Sequence, residues 1–500
     1  MAAFMLIRNA EVWGLGLADV RIAGGVIAEI GAPSSPSPSG EGLGWGLSEE
    51  AELTGQPPAP PLKGRGEERL HSKNIVNAQG AALLPGLHDH HIHLAGLAAR
   101  AASLWCGPPE VEDADALAAR LAAHTGPECI DGWLRGIGYH ESVMGLPGAK
   151  ELDRLVPLRP LRIQHRSGRM WLLNSAALAA LLDRADPPPG LERDSGGYTG
   201  RLFDEDQWLR TALASSPPDF TEVSADLARC GVTGITDMSP RNDPAMAAHF
   251  AAQIHAGSLR QNCWLAGELS LADAQRGPWQ PGPAKLHLHE AALPVFEDAV
   301  SFIAAAHAQG RAVAVHCATE VELVFTLALL DEAGAIPGDR IEHASIASQE
   351  LVARIAGHGI SVCVQPHFVV ERGDAYLRDV EARHRGDLYR LASLADAGIT
   401  LVGGSDAPFV SADPWAAMAA AITRQTRDGQ TIGKDEALSP EQALELYLAA
   451  PDDLARQRLI AVGEPADLCL LGRPWAKVRE RLSSADVRAT FIAGRLVTRI

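Results

Sequence analysis

The stretch "PGLHDHHIHL", Pro85–Leu94, places four histidines and one aspartate within six consecutive positions. They form two interleaved His-x-His pairs, His88/His90 and His91/His93. Side chains two apart on an extended strand share a face, so either pair can offer two imidazoles to one metal ion. The pairs differ in parity and face opposite sides of a regular strand. In a barrel, one pair would look toward the axis and the other toward the surrounding helices.

The sequence downstream says what kind of sheet receives this strand. From residue 228 onward, apolar segments of strand length alternate with helical patterns. The strands read as "GVTGITDM", "RAVAVHC", "DRIEHASI", "ISVCVQP" and "ITLVGGSD"; the helices include "TEVELVFTLALLDEAG", "SQELVARIAGHG" and "PWAAMAAAITRQT". Strands apolar on both faces and alternating with helices predict a parallel sheet covered by helices.

Titratable residues punctuate these strands. Lys285 opens "KLHLHE", His316 ends "AVAVH", His343 ends "RIEH" and Asp406 ends "LVGGSD". Their separations of 31, 27 and 63 residues equal one, one and two strand–helix units of a (β/α)₈ barrel, at about 31 residues per unit. With His91/His93 on strand 1, the series falls on strands 4, 5, 6 and 8. The 192 positions from His93 to Lys285 exceed the expected three units by about 100 residues. That surplus predicts an insertion at about 95–221.

The first 32 residues and the tail "ADLCLLGRPW…DVRATFIAGRLVTRI" both read as short alternating strands. A small β-sandwich domain built from both termini, 1–80 and 455–500, is therefore expected beside an α/β barrel over 81–454. Pro33–Glu68, rich in Pro, Gly and Ser, reads as a disordered insertion because such a composition cannot repay its ordering entropy. In "LSPEQALELYLAA", Ser439, Pro440 and Gln442 predict a helix start with a capping box.

Composition narrows the partners. Against 44 basic residues stand 62 acidic ones, for a formal net charge of -18, which disfavours nucleic acid and anionic membrane. Seven cysteines without a CxxC spacing suit reduced thiols in the cytoplasm. No signal peptide pattern and no apolar run of spanning length is visible. A small-molecule substrate is the expected partner, with self-association into a homo-oligomer left open.

The ordered motifs carry a resemblance. "PGLHDHHIHL" resembles the strand-1 signature of the amidohydrolase superfamily, in which Pro-Gly precedes Asp-x-His-x-His; the match takes Asp89, His91 and His93 and leaves out His88 and His90. "PAKLHLHE", "AVAVHC", "RIEHASI" and "GGSDAPF" are similar to its strands 4, 5, 6 and 8. The segment "RPLRIQHRSGRMWLLNSAAL" and the tail "GEPADLCLL" resemble the branch called amidohydrolase family 3. Two positions depart from that branch: His289-Glu290 replaces an Asp-Gly pair, and Arg169 replaces a histidine.

The resemblance implies a TIM barrel with a composite β-sandwich and a metal-dependent hydrolase acting on C–N bonds. The expected metal ligands are His91, His93, Lys285, His316, His343 and Asp406, holding one or two divalent ions, zinc foremost. Lys285 qualifies as a bridging ligand only when carboxylated, since an ammonium repels the ion. Asp406 is the expected catalytic base, orienting a metal-activated hydroxide and passing its proton to the leaving nitrogen. Substrate contacts are sought among His165, Arg166, Arg169, His289, Gln365, His367 and Arg372, with His287 beside them. His88 and His90 are expected to be structural, and Cys317 is not read as a nucleophile. The rival readings are a single-metal deaminase of an amidine-like ring and a catalytically silent barrel that binds ligands.

Overall fold

Every residue of the strand Leu87–Ile92 is buried, because the strand lies in a closed ring of eight. The ring is visible in the computed structural model, which describes residues 4–33, 74–108, 110–124, 132–213 and 217–499. Its strands are β1 (Leu87–Ile92), β2 (Val232–Asp237), β3 (Asn262–Gly267), β4 (Gln280–Leu286), β5 (Val313–Cys317), β6 (Arg340–His343), β7 (Ser361–Val364) and β8 (Leu401–Gly403). Each pairs in parallel with the next, and β1 pairs with β2. The last gap closes through backbone bonds just beyond β8. Asp406 N–H donates to the His91 carbonyl at 2.6 Å and His93 N–H to the Ala407 carbonyl at 2.8 Å. The fold is a TIM barrel.

Local chemistry sets the helix boundaries between these strands. Thr319 caps Glu320–Ala333 in a capping box with Glu322. Ser348 caps Gln349–His358, which ends on Gly359 in the left-handed conformation at φ 65°, where glycine carries no Cβ penalty. Ser439 and Gln442 form the expected capping box, but that helix covers only Pro440–Glu445. The chain then turns to close the base of the barrel: the Leu446 carbonyl accepts Gly403 N–H at 2.7 Å and the Tyr447 carbonyl accepts His88 N–H at 2.9 Å.

Lys285 does not open its strand. Strand β4 begins at Gln280, runs through Pro281 and Pro283, and ends one residue after the lysine. Both prolines lack an N–H for the ladder, and the Arg311 guanidinium instead draws in the carbonyls of Gly282 and Pro283, at 3.2 and 3.1 Å.

A second eight-stranded sheet joins the two terminal segments in a small β-sandwich domain. Its path runs Arg495–Arg499, Val487–Ile492, Leu468–Leu471, Ala82–Pro85, Phe4–Val12, Gly16–Ala23, Val26–Gly31, with Ile75–Asn77 on the side of Phe4–Val12. The link between termini is antiparallel, pairing Leu468 with Pro85 and Leu470 with Leu83. Ile7, Val20, Ile22, Ile27, Leu83, Leu470 and Phe491 fill its core. Apart from Pro33 itself, the stretch Pro33–Glu68 lies outside the described residues.

The chain divides into two compact units, one combining Met1–Leu94 with Phe220–Ile500 and the other spanning Ala95–Asp219. The latter holds a six-stranded sheet whose central strands are Met170–Leu173 and Leu161–His165. Within it, the Arg162 guanidinium lies over Trp133 and Trp171, 5.9 and 5.6 Å from the ring centroids, and burial brings its pKa down to about 10. Among the described residues no helix is long and apolar enough to cross a membrane.

Candidate active site

The C-terminal ends of the barrel strands gather the imidazoles. His91 Nε2 and His93 Nε2 both point at Asp406 Oδ1, at 3.3 and 3.0 Å. The three ligand atoms lie within 4.8 Å of one another, a spacing that can hold one metal ion. Ring contacts extend the cluster: His91 to His343 at 5.0 Å, His343 to His316 at 4.6 Å, His316 to His287 at 4.5 Å. Lys285 is 4 % exposed, and its Nζ has no hydrogen-bond partner. The six residues predicted as ligands thus come from strand ends that face one space.

Backbone conformation aims two of them. His343 and Asp406 have φ values of 73° and 56°, a left-handed conformation that is uncommon outside glycine and tolerated best by Asn and Asp. Gly404 is required by close approach: a Cβ there would lie 2.7 Å from the His91 backbone nitrogen. Its bare α-carbon lets the end of β8 press against His91.

The two His-x-His pairs are not divided as strand alternation predicts. Between the pairings Ile235 with Asp89 and Asp237 with Ile92, β1 carries one residue more than β2. This bulge falls at His90–His91 and resets the alternation. His88 therefore does not face the helices. Its Nε2 bonds Thr236 Oγ1 at 2.9 Å, and its ring meets Trp264 of β3 edge-on at 5.6 Å. His90 lies 4.5 Å from His88, fully buried with both ring nitrogens unpartnered. Its polar neighbours are the Ala449 backbone and the guanidinium groups of Arg340 and Arg458. Below this pair, at the N-terminal ends of the strands, is a cavity of about 500 Å³ bounded by His88, Trp264, Gln280 and Arg458. It lies at the opposite end from Asp406 and belongs to the base of the barrel.

Charge at the site is set by burial and by three carboxylates. Burial pulls His91 down, but Glu342 and Asp406 outweigh it and raise its pKa above the ordinary value. Burial pushes Asp406 up, yet His91, His93 and His343 hold it well below the carboxylate range. Burial lowers Lys285 against the attraction of Glu342, with Arg340 adding to the fall, and it lowers His343 to about 4. Asp89 is not a ligand. It accepts the N–H groups of His91 and Ser405, and burial pushes its carboxyl up to about 6.

The candidate substrate contacts scatter. Gln365 is spoken for, its Oε1 bonding His343 Nδ1 at 2.7 Å. His367 is buried with both nitrogens unpartnered. His289 accepts the Ala291 N–H and caps a short turn. Arg372 lies over the Phe368 ring and donates to the Phe409 carbonyl at 3.3 Å, and Phe409, 56 % exposed, stands edge-on to His93 at 5.8 Å. His165, Arg166 and Arg169 belong to the other unit. There His165 bonds Glu141 and Ser167, Arg166 donates its N–H to the Tyr139 carbonyl, and Arg169 makes a two-pronged pair with Asp204.

Sequence reasoning passed over Glu342. It is completely buried on β6 and bonds His91 Nδ1 at 2.5 Å and Arg340 Nε at 2.6 Å. The signal was present: Arg340 and Glu342 are opposite charges two apart on one face of an apolar strand. Cys363 was missed too, and its thiol lies within 4.8 Å of the His91 and Glu342 ligand atoms.

The comparisons with known proteins bear on the family and the fold. The family model described as "Amidohydrolase family" matches residues 74–498. The YtcJ protein of Bacillus subtilis (strain 168) is 27 % identical, over 87 % of this chain and 94 % of its own. The N-substituted formamide deformylase of Arthrobacter pascens is 25 % identical, over 84 % and 89 %. The crystal structure of an uncharacterized metal-dependent hydrolase from Pyrococcus horikoshii OT3 matches with a TM-score of 0.72 at 18 % identity, over 94 % of this chain and 97 % of that one; at that identity it speaks for the fold. With the family model matching well over half of its length, the chain belongs to the amidohydrolase family, hydrolases of carbon–nitrogen bonds.

Proposed function

We propose that the protein is a metal-dependent amidohydrolase that cleaves the C–N bond of a small amide, N-acyl compound or cyclic amide. One observation carries the reading: two imidazole Nε2 atoms from β1 converge on one carboxylate oxygen from the end of β8. Nitrogen and carboxylate donors in that arrangement suit a borderline divalent ion such as zinc. The unpartnered Nζ of Lys285, with the His316 and His343 rings beside it, offers room in the donor set for one ion or two. Burial lowers the lysine's pKa, and carboxylation of its Nζ would turn it into a ligand in place of a cation.

A divalent metal, when bound, supplies Lewis acidity that makes water a nucleophile at neutral pH and polarises a carbonyl. The chain's own residues do the rest. Asp406, held ionised by its imidazole neighbours, takes the proton of the attacking water and gives it to the departing nitrogen. Gln365 fixes which nitrogen of His343 carries its proton. Phe409 offers an apolar wall beside His93 for a substituent on the substrate. The likeness to an N-substituted formamide deformylase supports trying N-acyl amines first.

The test is metal analysis of protein purified without added metal, followed by a screen of N-acyl compounds and cyclic amides for carboxylate or ammonia release. About one or two equivalents of metal together with carboxylate release are expected. Metal-free protein, or ammonia release from ring amidines alone, would overturn the reading.

A further inference from the structure

We infer that Glu342 is a positioning residue for the metal ligand His91, held in place by Arg340; the inference rests on the function proposed above. His91 uses its two ring nitrogens differently. Nε2 faces Asp406 at 3.3 Å, while Nδ1 is bonded to Glu342 Oε2 at 2.5 Å. The carboxylate therefore draws the ring proton to Nδ1 and leaves the Nε2 lone pair directed at the ion. It also fixes the plane of the ring.

Glu342 cannot wander, because its other oxygen takes Arg340 Nε at 2.6 Å. That guanidinium spans the barrel from β6, donating as well to the His90 carbonyl on β1 at 2.8 Å and meeting Met238 Sδ at 2.9 Å. Arg340 and Glu342 are 4 % and 0 % exposed, so neither is screened by water. A buried charge pair is weak support for stability by itself, since desolvation offsets the attraction. Its placement directly behind one ligand nitrogen is what a carboxylate–histidine–metal arrangement requires. Loss of such an outer partner costs 10–100-fold in metal affinity.

The experiment compares Zn²⁺ affinity of the wild type, E342Q and E342D by competition with a chromophoric chelator, with the visible spectrum of the Co²⁺ forms as a second readout. E342Q keeps the shape and loses the charge; the expected Kd is about 10–100-fold weaker, with a shifted Co²⁺ spectrum. E342D keeps the charge beside Arg340 and should recover part of the loss. A wild type that loads normally beside an E342Q that loads equally tightly, with the same spectrum, would sink this inference alone. A wild type that takes up no metal would sink the proposed function and this inference together. Should E342Q fail to fold, E342A carries the test, and a folded E342A that binds Zn²⁺ as tightly as the wild type, with the same Co²⁺ spectrum, overturns the role.

Discussion

Asp89 of the first barrel strand and Ser405 beyond the last are joined across the barrel seam, the buried carboxylate Oδ1 accepting the Ser405 N–H at 3.0 Å. The same oxygen takes the His91 N–H at 3.1 Å. One side chain thus adds to the backbone bonds that close the ring and also anchors the ligand strand. Asp89→Ala strands two buried N–H groups, at about 1–3 kcal/mol each. Chemical denaturation should show a stability loss of that order, with metal content falling alongside; an unchanged midpoint would mean closure does not depend on this carboxylate.

Asp406→Asn separates holding the metal from moving the proton. Asn tolerates the left-handed backbone at this position and keeps an oxygen for the ion, but it cannot accept a proton. Metal stoichiometry should persist while kcat/KM falls by roughly 10²–10⁴. Near-parental turnover in a metal-loaded variant would remove Asp406 from the proton path.

His90 and His91 are neighbours with opposite fates. Both ring nitrogens of His90 are buried without partners, and burial holds it well below the ordinary imidazole pKa. A buried polar ring with no side-chain partner, and only the Ala449 backbone beside it, is a liability, so His90→Leu should melt at the same temperature or higher and keep its metal. His91→Ala should lose the metal. The reverse pattern, metal lost in His90→Leu and kept in His91→Ala, would reassign the ligand pair.

The six described cysteines are free thiols, and burial pushes Cys106, Cys230 and Cys317 up to about 12. Cys317 is moreover 3.1 Å from Thr326 Oγ1 and is not poised as a nucleophile. At pH 8 a thiolate-trapping reagent should leave these three untouched in the native protein and modify them on unfolding. Rapid loss of activity with one equivalent of label at Cys317 would contradict that picture.

Much of the barrel was legible because its strands and caps are local signals. Apolar runs of strand length, Ser439 as a cap with Gln442, and titratable residues at barrel-like intervals all held in three dimensions. The site was read less completely, for two physical reasons. In a strand buried on both faces, alternation no longer separates inside from outside, so the bulge at His90–His91 left no trace in the pattern. And Glu342 acts through a contact with β1, 251 positions away in the chain. Sequence spacing marks who sits at a strand end; it does not say which side chains meet across the axis.

The composite sheet has a consequence for how the protein is made. Pro85, which leads directly into the histidine strand, pairs with Leu468 near the far end of the chain. A ribosome delivers residues in order, and early segments ordinarily fold first during synthesis. Here the first barrel strand emerges long before the strand that flanks its root. The nascent chain must carry Leu83, Leu84 and their neighbours without this partner until Leu468–Leu471 has been made. Removing Leu468–Leu471 should therefore disturb the ligand strand at its root, although that strand's own residues are untouched.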